Sequence, residues 1–129
     1  MSSVVFRGYK VTECDFVNKY ENGQKVEFRN SYGYSVKYAQ NNICIGEITV
    51  EARDKENPDK FGIKLVIEGF FSFSPEAKKE SVHVDSFKEL YPHARAVVAT
   101  VSTAAGIPPI LIPPFDIEKQ SIYKVEKNV

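Results

Sequence analysis

The chain has 129 residues, which sets one domain, residues 1–129, as the expectation and leaves enough length for a core without disulfide or metal staples. Basic and acidic residues both number 17, so the formal net charge is zero. That balance argues against a nucleic-acid binder that works by neutralising phosphates, and against a polybasic membrane patch.

A neutral chain does little to keep its own copies apart, which is compatible with self-association. Cys14 and Cys44 fit no metal or redox spacing and read as buried, reduced thiols. The opening MSSVVFRGYK lacks an apolar run of leader length, and no segment reaches membrane-span length. A reducing cytoplasm is the expected compartment.

The first two-thirds of the chain read as strands. VVFRGYKVTE is rich in β-branched and aromatic residues, with a break at Gly8. Asn22-Gly23 within ENGQ suits a tight hairpin turn. In SYGYSVKYA, Tyr32, Tyr34, Val36 and Tyr38 fall on one face, the period-two alternation of a half-buried strand. After QNN comes ICIGEITVEARD, whose apolar parity changes around Gly46-Glu47 and predicts a β-bulge there. FGIKLVIEGFFSFS is the last strand. Phe61, Ile63, Leu65, Ile67, Phe71 and Phe73 share one face, and Val66 and Phe70 lie on the other beside Lys64 and Glu68. Short turns between successive strands predict a meander.

A helix follows. Asp85 and Ser86 are candidate caps, with Glu89 at capping-box spacing from Ser86. Pro92 fits best in the first turn, which sets SFKELY apart as a separate short turn. Leu90, Ala94, Val97, Val98 and Val101 form an apolar stripe; Gly106 caps the end and Pro108 stops it. The fold class is therefore α+β: a four-stranded antiparallel sheet (meander), one long helix and a proline-rich crossover segment. No internal repeat or low-complexity tract is present.

The segment IPPILIPPF can be neither helix nor central strand, because paired prolines remove backbone donors and fix φ. It holds Ile110, Leu111, Ile112 and Phe115 in an extended, rigid display. These side chains cover either the chain's own core and subunit contacts or a groove for another chain.

Catalytic constellations are weak. His83 and His93 lack metal-ligand spacing, and no phosphate loop or nucleophile elbow occurs. No metal, cofactor or enzymatic activity is expected. The aromatic residues follow strand parity without a basic stripe, so they read as core and interface rather than as a base-stacking platform.

YPHARAVVATVSTAAGIPPILIPPFD, residues 91–116, resembles the hallmark region of the SecB family of export chaperones. The matching residues are Tyr91, Pro92, Ala94 and Arg95 at the helix start, then Gly106, Pro108, Leu111, Pro113 and Pro114. His93 and PPFDI, with Asp116, depart from the family's usual residues. FRGYKVTECDFVNK, ITVEARD and EGFFSFS are similar to family strands, so the resemblance covers roughly residues 5–117.

The resemblance implies an ATP-independent holdase for unfolded polypeptide, possessing apolar grooves and assembled as a homotetramer, a dimer of dimers. On that footing Phe70, Phe71, Phe73, Ile110, Leu111, Ile112 and Phe115 are the expected peptide-binding residues. The family's lid helix and tail are expected to be truncated or absent, since only EKQSIYKVEKNV follows the prolines, and the connection before the helix is shorter than usual. Family members dock the SecA motor through acids on the exposed sheet face. Here Asp15 keeps one such position while Lys19 and Lys64 stand where acids are expected, which argues against SecA docking. The alternatives are a chaperone dedicated to one client, such as an antitoxin, and an oligomeric SecB-like module without client binding.

Overall fold

The computed structural model describes residues 2–114 and 122–124. Its elements are β1 (Val4–Asn18), β2 (Lys25–Ala39), β3 (Ile43–Asp54), β4 (Phe61–Phe73), α1 (Lys79–Ala104) and a short β5 (Ile122–Lys124). All strand pairs are antiparallel, in the order β1-β4-β3-β2-β5. The four long strands and the single helix match the α+β expectation.

The order corrects the meander. β2, β3 and β4 do follow one another, but β1 pairs with β4 and not with β2, giving a Greek-key arrangement. Asn22-Gly23 still turns, with Gly23 at φ 97°, yet it leads across the sheet rather than into a hairpin. Local turn chemistry fixed a reversal; it did not fix which strand β1 would meet.

The bulges also lie elsewhere. β3 keeps one parity throughout, burying Cys44, Gly46, Ile48, Val50 and Ala52. Ile45 simply points outward. Gly46 belongs on the inner face because Tyr34 fills its space: a Cβ there would meet the Tyr34 hydroxyl at 2.2 Å. The register shifts fall in β1, between Phe6 and Gly8 and between Val11 and Glu13. Gly8, at φ 141°, supplies the backbone the first bulge requires.

α1 lies on the inner face and buries Val82, Leu90, Tyr91, Ala94 and Val98 against the sheet. It runs 26 residues through Pro92, so SFKELY is helix and not a separate turn. Pro92 and Lys88, whose carbonyl loses its donor, are both exposed, so water can take that carbonyl. Neither Asp85 nor Ser86 caps the helix. Its start is Lys78, which makes no side-chain cap. Asp85 instead accepts hydrogen bonds from the Ser3 N–H and Oγ, both at 2.8 Å, tying the start of β1 to the helix.

The C-terminal end follows expectation. Gly106, at φ 88°, donates to Thr103 and Ile107 donates to Ser102, a Schellman motif. Cys44 is buried as expected, but Cys14 is exposed because β1 is an edge strand. Among the described residues no helix is long and apolar enough to cross a membrane.

Candidate binding surface

After Gly106 the chain doubles back along one flank of α1. Three side chains of the helix hold it there. Ser102 Oγ accepts the Ile110 N–H at 2.8 Å, Arg95 Nε donates to the Ile112 carbonyl at 2.6 Å, and the Tyr91 hydroxyl donates to the Pro113 carbonyl at 2.6 Å. Ser102 is itself anchored, donating to the Val98 carbonyl at 3.0 Å. Burial pushes the Tyr91 hydroxyl above its ordinary pKa, against an opposing effect of Arg95, so it stays protonated and able to donate.

This strap divides its side chains. Ile107, Ile110 and Ile112 enter the core, the last two only 1% exposed, while Leu111 between them is 73% exposed. Extended backbone points successive residues in different directions, and the prolines keep it extended.

Beside the strap runs a row of aromatic rings. Tyr91 stacks on Phe87, one helical turn earlier, with centroids 5.1 Å apart. Phe87 meets Tyr32 and Tyr34 of β2 at 5.3 and 5.2 Å, and Tyr32 reaches Tyr91 at 6.4 Å. Tyr32 remains 49% exposed. Tyr34 is fixed by its bond to Ser86 Oγ, which in turn donates to the His83 carbonyl. Burial raises the Tyr34 pKa to about 12. The result is a continuous aromatic cluster from β2 across α1 to Pro113, exposed at Tyr32 and covered at Tyr91, with Leu111 exposed on the adjoining strap. It carries no reacting group and offers apolar and ring contacts.

The structure redistributes the residues expected from sequence. Phe71, Ile110 and Ile112 are core and present almost no surface. Phe70 lies on the opposite sheet face, between Gly8 and Ile45 in register, with Lys10 above its ring at 6.0 Å. Phe73 is half-buried near Tyr38, 5.9 Å away, beyond the N-terminal end of α1. Leu111 alone of the set sits on the strap's exposed side, and Phe115 lies outside the described residues, as do Asp116 and most of the stretch expected to lack a lid. Tyr32, Phe87 and Tyr91 were missed. Their signals were present: parity in SYGYSVKYA and the four-residue spacing of Phe87 and Tyr91. A helix start at Pro92 hides the second, because it leaves Phe87 outside the helix.

On the outer sheet face Asp15 and Lys64 are directly opposite in register, whereas Lys19 lies beyond the end of β1. Lys64 pairs with Glu13 at 3.4 Å. It is further flanked in register by Glu51, so its positive charge is locally compensated. His93 stacks with Phe6, and His83 packs edge-on against Tyr34. Among the described residues no group of three His, Cys, Asp or Glu could hold a metal.

No protein-family model matches the chain. The uncharacterised protein MJ0357 of Methanocaldococcus jannaschii is 28% identical over 121 residues, covering 87% of this chain and 78% of that protein. Protein-export protein SecB of Neorickettsia sennetsu is 31% identical over 83 residues, covering 57% of this chain and 51% of that protein, about half its length. Among solved structures, the Mycobacterium tuberculosis Rv1957 SecB-like chaperone, in complex with a ChAD peptide from the Rv1956 HigA1 antitoxin, superposes with TM-score 0.66 at 11% identity. That match covers 86% of this chain and 90% of that one. The chain has the SecB-like fold.

Proposed function

We propose that this protein is a non-enzymatic, ATP-independent holdase that binds extended, non-native polypeptide. The observation that carries the reading is the exposed Tyr32 ring, backed by half-buried Phe87 and buried Tyr91, together with Leu111 exposed on the strap that Tyr91 tethers. A rigid apolar surface of this kind loses little entropy on binding and suits side chains of many shapes. The test is light scattering of a chemically unfolded protein diluted with and without the chaperone. Suppression by the parent, reduced in Tyr32→Ser and Leu111→Ser variants that melt normally, is expected; aggregation unchanged by the parent would end the proposal.

The working form is a homo-oligomer in the cytoplasm, a tetramer built as two dimers. Supporting it, β1 is an edge strand with Val5, Tyr9 and Val11 exposed, and α1 exposes Val84. Several copies of the surface in one particle would add avidity. Sedimentation equilibrium at micromolar protein tests this, and a strictly monomeric mass would refute it.

Dedicated service to one client is a second reading, favoured by the antitoxin peptide bound to the SecB-like neighbour. A general role in protein transport would call for a motor such as SecA. Lys19 and Lys64 in place of acids lead us to expect weak SecA binding. Tight binding by calorimetry at moderate salt would show that the Glu13 partner has cancelled the Lys64 charge.

A further inference from the structure

The outer face of the sheet carries an arrangement that the client surface does not use. Arg29 of β2 and Arg53 of β3 are directly opposite each other in the antiparallel register. Like charges so placed weaken a sheet. Arg53 is compensated: its Nε donates to Glu51 at 2.9 Å and its guanidinium lies 3.9 Å from Asp15. Gly62, the neighbour of Arg53 on β4, makes this geometry possible, because a Cβ there would come within 2.6 Å of Arg53 Cγ. Lys55 is likewise taken, by Glu27 at 2.9 Å. Arg29 is not. Among the described residues no carboxylate comes within salt-bridge distance of it. Both arginines line a shallow cleft of about 180 Å³ with Ser31, Lys55, Pro58 and two acids, Glu51 and Asp54, which are engaged by Arg53 and by the Tyr20 hydroxyl.

The geometry points to a carboxylate-binding site in this cleft, taking an Asp or Glu side chain of an extended polypeptide. The Arg29 guanidinium holds the carboxylate through its paired N–H groups. The Ser31 hydroxyl completes the contact. A guanidinium fork can hold a carboxylate or a phosphate through two N–H groups, so the choice of a carboxylate follows from a polypeptide ligand. The incoming negative charge also removes the cross-strand repulsion. That the ligand is polypeptide rests on the chaperone reading; the anion site itself does not.

The test is titration of the isotope-labelled full chain with acetyl-Gly-Glu-Gly-amide and with its Gln counterpart, followed by NMR. The Glu peptide is expected to shift the Arg29 and Ser31 amides and the Arg29 Nε–H, and the Gln peptide to leave them unmoved. Arg29→Gln is expected to weaken binding by about tenfold or more, while leaving the melting temperature unchanged or raised. Equal shifts from both peptides, or an undiminished response in Arg29→Gln, would overturn the site. Orthophosphate at matched ionic strength shifting the same resonances more strongly would overturn the carboxylate assignment. Aggregation suppression measured on Arg29→Gln separates the two proposals. A parent that fails to hold clients but still binds the Glu peptide refutes the chaperone reading and leaves the anion site standing.

Discussion

The Tyr91 hydroxyl donates to the carbonyl of Pro113 across 22 residues of sequence, at 2.6 Å. Tyr91 is at once a member of the aromatic row and a tether of the strap, so the ring that backs the proposed client surface also anchors the scaffold. Tyr91→Phe keeps the ring and removes the tether. The expected cost is about 1 kcal/mol in urea unfolding. Faster hydrogen exchange in residues 107–112 is also expected, with client affinity reduced less than by Tyr32→Ser.

The strap separates two kinds of residue, and substitution should separate them too. Ile110→Ala and Ile112→Ala each remove a fully buried aliphatic and are expected to cost about 2–5 kcal/mol of stability. Leu111→Ser should change stability by less than about 0.5 kcal/mol and act on client holding instead. Thermal unfolding and aggregation suppression on one preparation check both; a destabilised Leu111→Ser would contradict the assignment.

Gly46→Ala is expected to destabilise by about 1–3 kcal/mol, because the added methyl meets the Tyr34 hydroxyl in a packed interior. Combining it with Tyr34→Phe removes the closest clashing atom. The double variant should therefore be more stable than the sum of the single effects predicts. Strict additivity in denaturant unfolding would show that the clash is relieved some other way.

The Ser3 N–H and hydroxyl hold the Asp85 carboxyl below its ordinary pKa of 3.8. A carboxylate with a depressed native pKa adds stability above its unfolded value, and that stability is lost as pH falls through the native value. Unfolding midpoints taken from neutral pH down to about pH 2 should fall at the acid end in the parent. Asp85→Asn should show a shallower fall. Identical acid limbs would mean that the clamp on β1 contributes nothing.

Periodicity made most of the fold legible. Strand positions, the inner faces of β2 and β4, and the Gly106 cap could all be read locally. Pairing could not: Asn22-Gly23 announces a turn but not which strand the chain will meet, and β1 pairs with β4, far away in sequence. The apparent parity break in β3 was Tyr34 claiming space at Gly46, a contact between strands that one strand's pattern cannot reveal. The strap was recognisable as rigid, apolar and family-like. Which of its side chains turned inward depended on Ser102 and Arg95, whose hydrogen bonds to the strap have no signature in the sequence.

The alternation in the strap also bears on how such a protein can change. Ile110 and Ile112 answer to folding, while the side chain of Leu111 answers only to whatever meets it from outside. On the proposed client surface a lineage could therefore exchange the residue at 111, retuning which sequences are retained, without first acquiring a compensating change in the interior. On that reading, adaptation to a new client and preservation of the scaffold run on neighbouring but separate positions.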